Sequence, residues 1–185
     1  MNGVIFIAGV YGVGKSTLCE KISEIINLPF YSASELISEQ VGETYGVNKK
    51  VFNKDVTQNI LLKCIDSKMS EDSAMILAGH FCILSECNEP EKLPFYVYEK
   101  MNISLIVLLE ATTDEIVRNL KKRDKKTYSR EVIDELLITE RNYAMKVSEV
   151  LKVPMIKYLM SFSEADTENV LAFIEEVYGE SYIRY

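Results

Sequence analysis

The chain has no tryptophan, one histidine and only four prolines in 185 residues. No apolar run exceeds about six residues, far short of the ~20 that a bilayer-spanning helix needs. Its four cysteines, Cys19, Cys64, Cys82 and Cys87, form no CxxC pair. That scatter favours buried thiols in a reducing cytosol over metal ligands. The first residues, Met1-Asn2-Gly3-Val4-Ile5-Phe6-Ile7, lack a basic segment and a small-residue cleavage site. The expected location is cytoplasmic. Linkers, repeats and low-complexity tracts are also missing, so the expectation is one domain over residues 1–185.

Positive charge is scarce but concentrated. The net charge is -7, with 21 Lys+Arg against 28 Asp+Glu. Residues 118–130 hold Arg118, Lys121, Lys122, Arg123, Lys125, Lys126 and Arg130 against Asp124 alone. That segment carries +6 and the remainder -13. The acidic remainder argues against nucleic-acid and membrane partners, whereas the basic segment predicts a local anion.

What is present is an alternation of short apolar runs and longer helical patterns. Residues 4–8, 29–31, 74–78, 103–109 and 154–160 read as strands. Between them, Leu18, Ile22, Ile25 and Ile26 share one helical face, as do Phe52, Val56, Ile60, Leu61, Cys64 and Ile65. Ser32 with Glu35, and Thr112 with Glu115, fit capping boxes. Ser129 precedes a long helix, and Ser163 is the expected cap of the last one. Residues 81–102 read as irregular with a short helix near Tyr96. Strands alternating with helices predict an α/β fold of three layers around a five-stranded parallel sheet.

The sharpest motif is Gly9-Val10-Tyr11-Gly12-Val13-Gly14-Lys15-Ser16, followed by Thr17. It fits G-x-x-x-x-G-K-[ST] between a buried strand and an amphipathic helix. Glycines allow the backbone to wrap a phosphate with its amides inward. The helix start adds a positive dipole end. Lys15 supplies a point charge for the β- and γ-phosphates, and the Ser16 hydroxyl can reach Mg²⁺. The implied ligands are ATP and Mg²⁺.

Beyond this loop the chain resembles the P-loop nucleoside and nucleotide kinases, most closely the archaeal-type adenylate kinases. The residues that carry the resemblance are Gly79-His80, Leu93-Pro94-Phe95, Lys100-Met101-Asn102, Ala111 to Ile116, Arg118, Arg123-Asp124 and Glu140-Arg141-Asn142-Tyr143-Ala144. The resemblance implies strand order 2-3-1-4-5 and transfer of the ATP γ-phosphate to a small acceptor, a nucleoside or nucleotide. It implies an acceptor-binding helical region over 32–72 and a lid over 118–130. Two departures stand out: the third strand ends Leu77-Ala78-Gly79-His80 where the family carries Asp, and residues 32–74 contain no arginine, only lysines such as Lys49, Lys50 and Lys54.

Candidate residues follow. Lys15, Arg118, Arg123, Arg130 and His80 are candidates for catalysis, the arginines because their planar forks match phosphate. Glu35, Gln58 and His80 are candidates for acceptor contact, Ser16 for Mg²⁺, and Glu110 as a substitute for the missing aspartate. Two other readings stay open: a nucleotide-dependent ATPase or switch, and a nucleic-acid enzyme using 118–130 as a phosphate track. No NKxD-type guanine-reading motif occurs. The oligomeric state is left open.

Overall fold

A computed structural model describes residues 2–41, 54–124 and 128–179. In chain order its first elements are β1 (Gly3–Ala8), α1 (Lys15–Ile26), β2 (Phe30–Ser32), α2 (Ala33–Val41), α3 (Lys54–Glu71) and β3 (Ala74–Gly79). A hairpin of β4 (Cys82–Leu84) and β5 (Pro90–Lys92) comes next, then α4 (Phe95–Lys100) and β6 (Ile103–Glu110). The chain continues with α5 (Thr113–Asp124), α6 (Arg130–Leu151), β7 (Met155–Leu159) and α7 (Ala165–Tyr178).

The central sheet has order β2-β3-β1-β6-β7, all parallel. Counting that sheet's strands alone, this is the 2-3-1-4-5 order. The antiparallel β4–β5 hairpin is additional and occupies part of the stretch expected to be irregular. All six residues of β1 and of β3 are buried, because helices cover both faces of the sheet. The edge strands β2 and β7 are only partly buried.

Local signals explain the starts of α5 and α6. Thr112 and Glu115 form a reciprocal box: the Thr112 N–H donates to Glu115 Oε2 at 3.0 Å and the Glu115 N–H to Thr112 Oγ1 at 3.3 Å. Ser129 Oγ accepts the Val132 N–H at 3.3 Å. Ser163 does not cap the last helix. Its own N–H instead donates to Asp166 Oδ2 at 3.2 Å, and Asp166 Oδ1 accepts from Tyr158, from the Ser161 N–H and from the Ser161 hydroxyl. A carboxylate within the first turn has replaced the hydroxyl before it. The helix at Ser32 starts as expected, but the Ser32 hydroxyl shares its hydrogen bond with Ser34 Oγ at 2.9 Å.

Two side-chain expectations shift. On α3 the buried residues are Thr57, Gln58, Leu61, Leu62 and Ile65, while Val56 is 47% exposed; Phe52 lies outside the described residues. The stripe is rotated so that Gln58 faces inward. Among the thiols, Cys19 and Cys82 are buried and their pKa values are pushed up to about 12, chiefly by burial. Cys87 is exposed on the hairpin turn, contrary to the expectation of buried thiols throughout. No helix among the described residues is long and apolar enough to cross a membrane.

Candidate active site

The glycine loop leaves β1, whose neighbours are β3 and β6, and feeds directly into α1. Gly9 has φ of 149°, and a Cβ there would lie 2.5 Å from the Leu109 carbonyl oxygen, so no side chain fits. Val10 and Val13 are buried and anchor the loop in the core. Tyr11, Gly12, Gly14, Lys15, Ser16 and Thr17 face a cavity of about 1430 Å³. Lys15 curls back over the loop: its ammonium donates to the Gly9 carbonyl at 2.7 Å and the Val10 carbonyl at 3.0 Å. Burial lowers the Lys15 pKa to about 8, against the opposing pull of Glu140, and nearby Arg123 lowers it further.

α5 closes one side of this cavity. Asn119, Lys122 and Arg123 line it, at the i, i+3, i+4 spacing that puts residues on one helical face. Asn119 Nδ2 donates to the Gly12 carbonyl at 2.9 Å, tying α5 to the loop. The structure thus brings Arg123 to the phosphate loop and leaves two other candidates elsewhere. Arg118 is exposed and does not line the cavity. Arg130 is spent on a surface ion pair with Asp114. Lys125 and Lys126 lie outside the described residues.

The far wall comes from Ser32, Ala33 and Ser34 at the start of α2, Gln58 on α3, and Ala78, Gly79 and His80 at the end of β3. A Cβ at Gly79 would lie 2.5 Å from the Phe6 ring, so glycine is required for that close approach. His80 sits against Tyr11 of the loop, ring centroids 4.5 Å apart, and its carbonyl accepts the Tyr98 hydroxyl at 2.9 Å. Glu35 is exposed and does not line the cavity, and Glu110 is paired with Arg141 outside it. Neither carboxylate stands where the missing aspartate would.

The residue that sequence reasoning passed over is Glu140. It is 2% exposed and accepts the Phe81 N–H at 2.9 and 3.0 Å and the Cys82 N–H at 2.5 Å. Burial raises its pKa to about 7, opposed by the Phe81 hydrogen bond and by the Lys15 charge. Glu140 therefore fixes the turn after His80 and places a negative charge near Lys15. A signal was available: on α6 the buried positions Ile133, Leu136, Tyr143, Ala144 and Val147 follow helical spacing, and Glu140 falls on the same face.

Among the described residues no group of three or more His, Cys, Asp or Glu side chains is placed to hold a metal ion. Ser16 fits as one oxygen donor, which suits Mg²⁺, an ion that keeps several waters and takes phosphate oxygens.

A glycine loop between a central parallel strand and a helix, with a lysine and two hydroxyls facing an open cavity, defines a P-loop nucleotide-binding protein. A family model described as an AAA domain matches residues 8–137, and the chain belongs to that family. Curated relatives include the probable UMP-CMP kinase 2 of Arabidopsis thaliana, 22% identical over 95% of this chain and 66% of that protein. The adenylate kinase of Pyrococcus abyssi is 26% identical over 83% of this chain and 86% of its own length. The chain thus spans just under two thirds of the Arabidopsis relative. Among solved structures, a shikimate kinase from Acinetobacter baumannii in complex with shikimate superposes with a TM-score of 0.63, covering 96% of this chain and 94% of that one at 13% identity. A gluconokinase from Sinorhizobium meliloti 1021 gives 0.57 over 97% of both chains at 15% identity. These share the fold. The likeness holds for P-loop kinases broadly and does not single out the archaeal-type adenylate kinases.

Proposed function

We propose that the chain is an ATP-dependent phosphotransferase that moves the γ-phosphate to a small-molecule acceptor. The observation that carries this is that Lys15, Ser16, Lys122 and Arg123 line the same cavity as His80 and the polar side chains of Ser32, Ser34 and Gln58. The curated relatives and solved structures named as kinases support the same reading.

In this account the triphosphate lies along Gly9 to Thr17, and Lys15 exchanges its two carbonyl contacts for phosphate oxygens. Ser16 would hold Mg²⁺, which would neutralise phosphate charge. Arg123 and Lys122 stabilise the charge that spreads over the transferring group. His80, held by Tyr11 and Tyr98, orients the acceptor beside it. Residues 32–72 form the acceptor region and 118–130 the lid, in a single domain that works in the cytosol.

Ala78 favours a second reading, an ATPase or switch that turns over ATP without an acceptor, because no carboxylate stands at that cavity position. Chromatographic separation of ADP, inorganic phosphate and phosphorylated acceptor distinguishes the two. The phosphotransferase reading expects ADP release to rise at least about tenfold with the right acceptor. Release of ADP and inorganic phosphate at one rate, whatever the acceptor, would establish the second.

A further inference from the structure

Tyr11 joins the phosphate loop to the end of β3. Its ring lies 4.5 Å from the His80 ring, centroid to centroid, at an interplanar angle of 47°. Both residues line the cavity. The backbone at His80 is firmly held: its carbonyl accepts the Tyr98 hydroxyl at 2.9 Å, and the next N–H, of Phe81, donates to Glu140 at 2.9 and 3.0 Å. Any change in the aim of the imidazole therefore comes from rotation of the side chain against Tyr11.

The backbone at Tyr11 depends on Lys15. The Val10 carbonyl, in the peptide unit that joins Val10 to Tyr11, accepts the Lys15 ammonium at 3.0 Å. On the other side, the Gly12 carbonyl accepts Asn119 Nδ2 of α5 at 2.9 Å. Gly12 has φ of 78°, the left-handed conformation that lets the chain turn directly after Tyr11. Phosphate oxygens compete for Lys15 with an advantage over neutral carbonyls, because hydrogen bonds between two charged groups are roughly twice as strong. Once the ammonium turns to phosphate, the Val10–Tyr11 peptide loses its charged partner and the Tyr11 ring settles differently against His80. An aromatic pair shifts an equilibrium by about two- to tenfold, which biases two side-chain orientations without locking either.

Resting on the triphosphate-binding part of the phosphotransferase reading, we infer that Tyr11 is a positioning residue that aims the His80 ring according to whether the phosphate loop is filled. The wall beside the acceptor then takes its working shape with nucleotide in place. By linkage, an acceptor that packs on the re-aimed ring raises the affinity for nucleotide by the same factor.

His80 is the only histidine in the chain, so its imidazole gives one set of ring resonances. NMR of the full, untagged chain labelled at histidine reads them as Mg²⁺ and a non-hydrolysable ATP analogue are added, with calorimetry following binding in parallel. The resonances should move and saturate together with binding. In Tyr11→Leu they should stay near their unliganded positions while the analogue still binds, and in Tyr11→Phe, which keeps a ring, the movement should return. Lys15→Met removes the ammonium without any ligand, and should displace the His80 resonances of the unliganded chain toward their ligand-bound positions. Binding with unmoved His80 resonances, equal movement in Tyr11→Leu, or unliganded Lys15→Met resonances identical to those of the unaltered chain would each overturn the inference alone. The Lys15→Met comparison stands even if Tyr11→Leu does not fold. Failure of the unaltered chain to bind the analogue would contradict the phosphotransferase reading and this inference with it.

Discussion

The Phe81 N–H donates to both carboxylate oxygens of Glu140, at 2.9 and 3.0 Å, across 59 residues of sequence. One buried side chain thereby pins the turn that carries His80 to α6. Glu140→Ala leaves two buried N–H groups without an acceptor and opens a void. It should cost about 3 kcal/mol or more of stability in urea denaturation, with Glu140→Gln costing less because one acceptor oxygen remains. A loss below about 1 kcal/mol for the alanine variant would show that solvent reaches the turn.

The same carboxyl group gives a pH signature. Its pKa rises from the ordinary 4.5 to about 7 on folding, through burial. The folded chain therefore holds the proton more tightly than the unfolded one. Its contribution to stability is full below about pH 4.5 and is lost as pH rises through about 7. Glu140→Gln has no proton to lose there. Subtracting the unfolding free energy of Glu140→Gln from that of the unaltered chain should give a difference that falls between those pH values. A flat difference would contradict the assigned burial.

The strand positions and the phosphate loop were legible because both are written locally, as β-rich runs and as eight consecutive residues of one motif, whereas the sheet order came only with the family resemblance. The burial of Glu140 could be read from the periodicity of α6, but its role could not, since its partners Phe81 and Cys82 are nearly 60 residues away and nothing local to α6 names them. The basic segment was legible as charge but not as direction. Seven cations announce an anion, yet among the described residues it is the face bearing Asn119, Lys122 and Arg123 that turns to the loop, while Asp114 draws Arg130 aside. Gln58 was a candidate for acceptor contact in the sequence, but it is the rotation of α3 that sets it inward.

That geometry ranks the arginines. Arg123→Ala should lower kcat by about 100-fold, the usual scale for losing a charge-stabilising donor. Arg118→Ala and Arg130→Ala should stay within about threefold, since neither side chain lines the cavity. Steady-state rates at saturating Mg·ATP and acceptor check the order. A larger loss at Arg130 than at Arg123 would reverse the assignment.

The start of α5 offers a control outside the site. Thr112 is exposed, yet its hydroxyl bonds Glu115 Oε2 at 2.6 Å and accepts the Glu115 N–H. Thr112→Ala should cost about 1 kcal/mol of stability in thermal or urea unfolding, a typical N-cap loss, with kcat little changed. A neutral substitution would mean that the box contributes nothing.

Lys15 carries the central claim, that the loop holds a triphosphate and passes on its terminal phosphoryl group. The most direct measurement is ³¹P NMR of the full chain with Mg·ATP and a panel of small-molecule acceptors, run beside Lys15→Ala. The account predicts a new phosphate-ester resonance growing in step with ADP, and its loss by at least about 100-fold in the variant. ATP left unconsumed across the panel, or ADP accompanied only by inorganic phosphate, would contradict it.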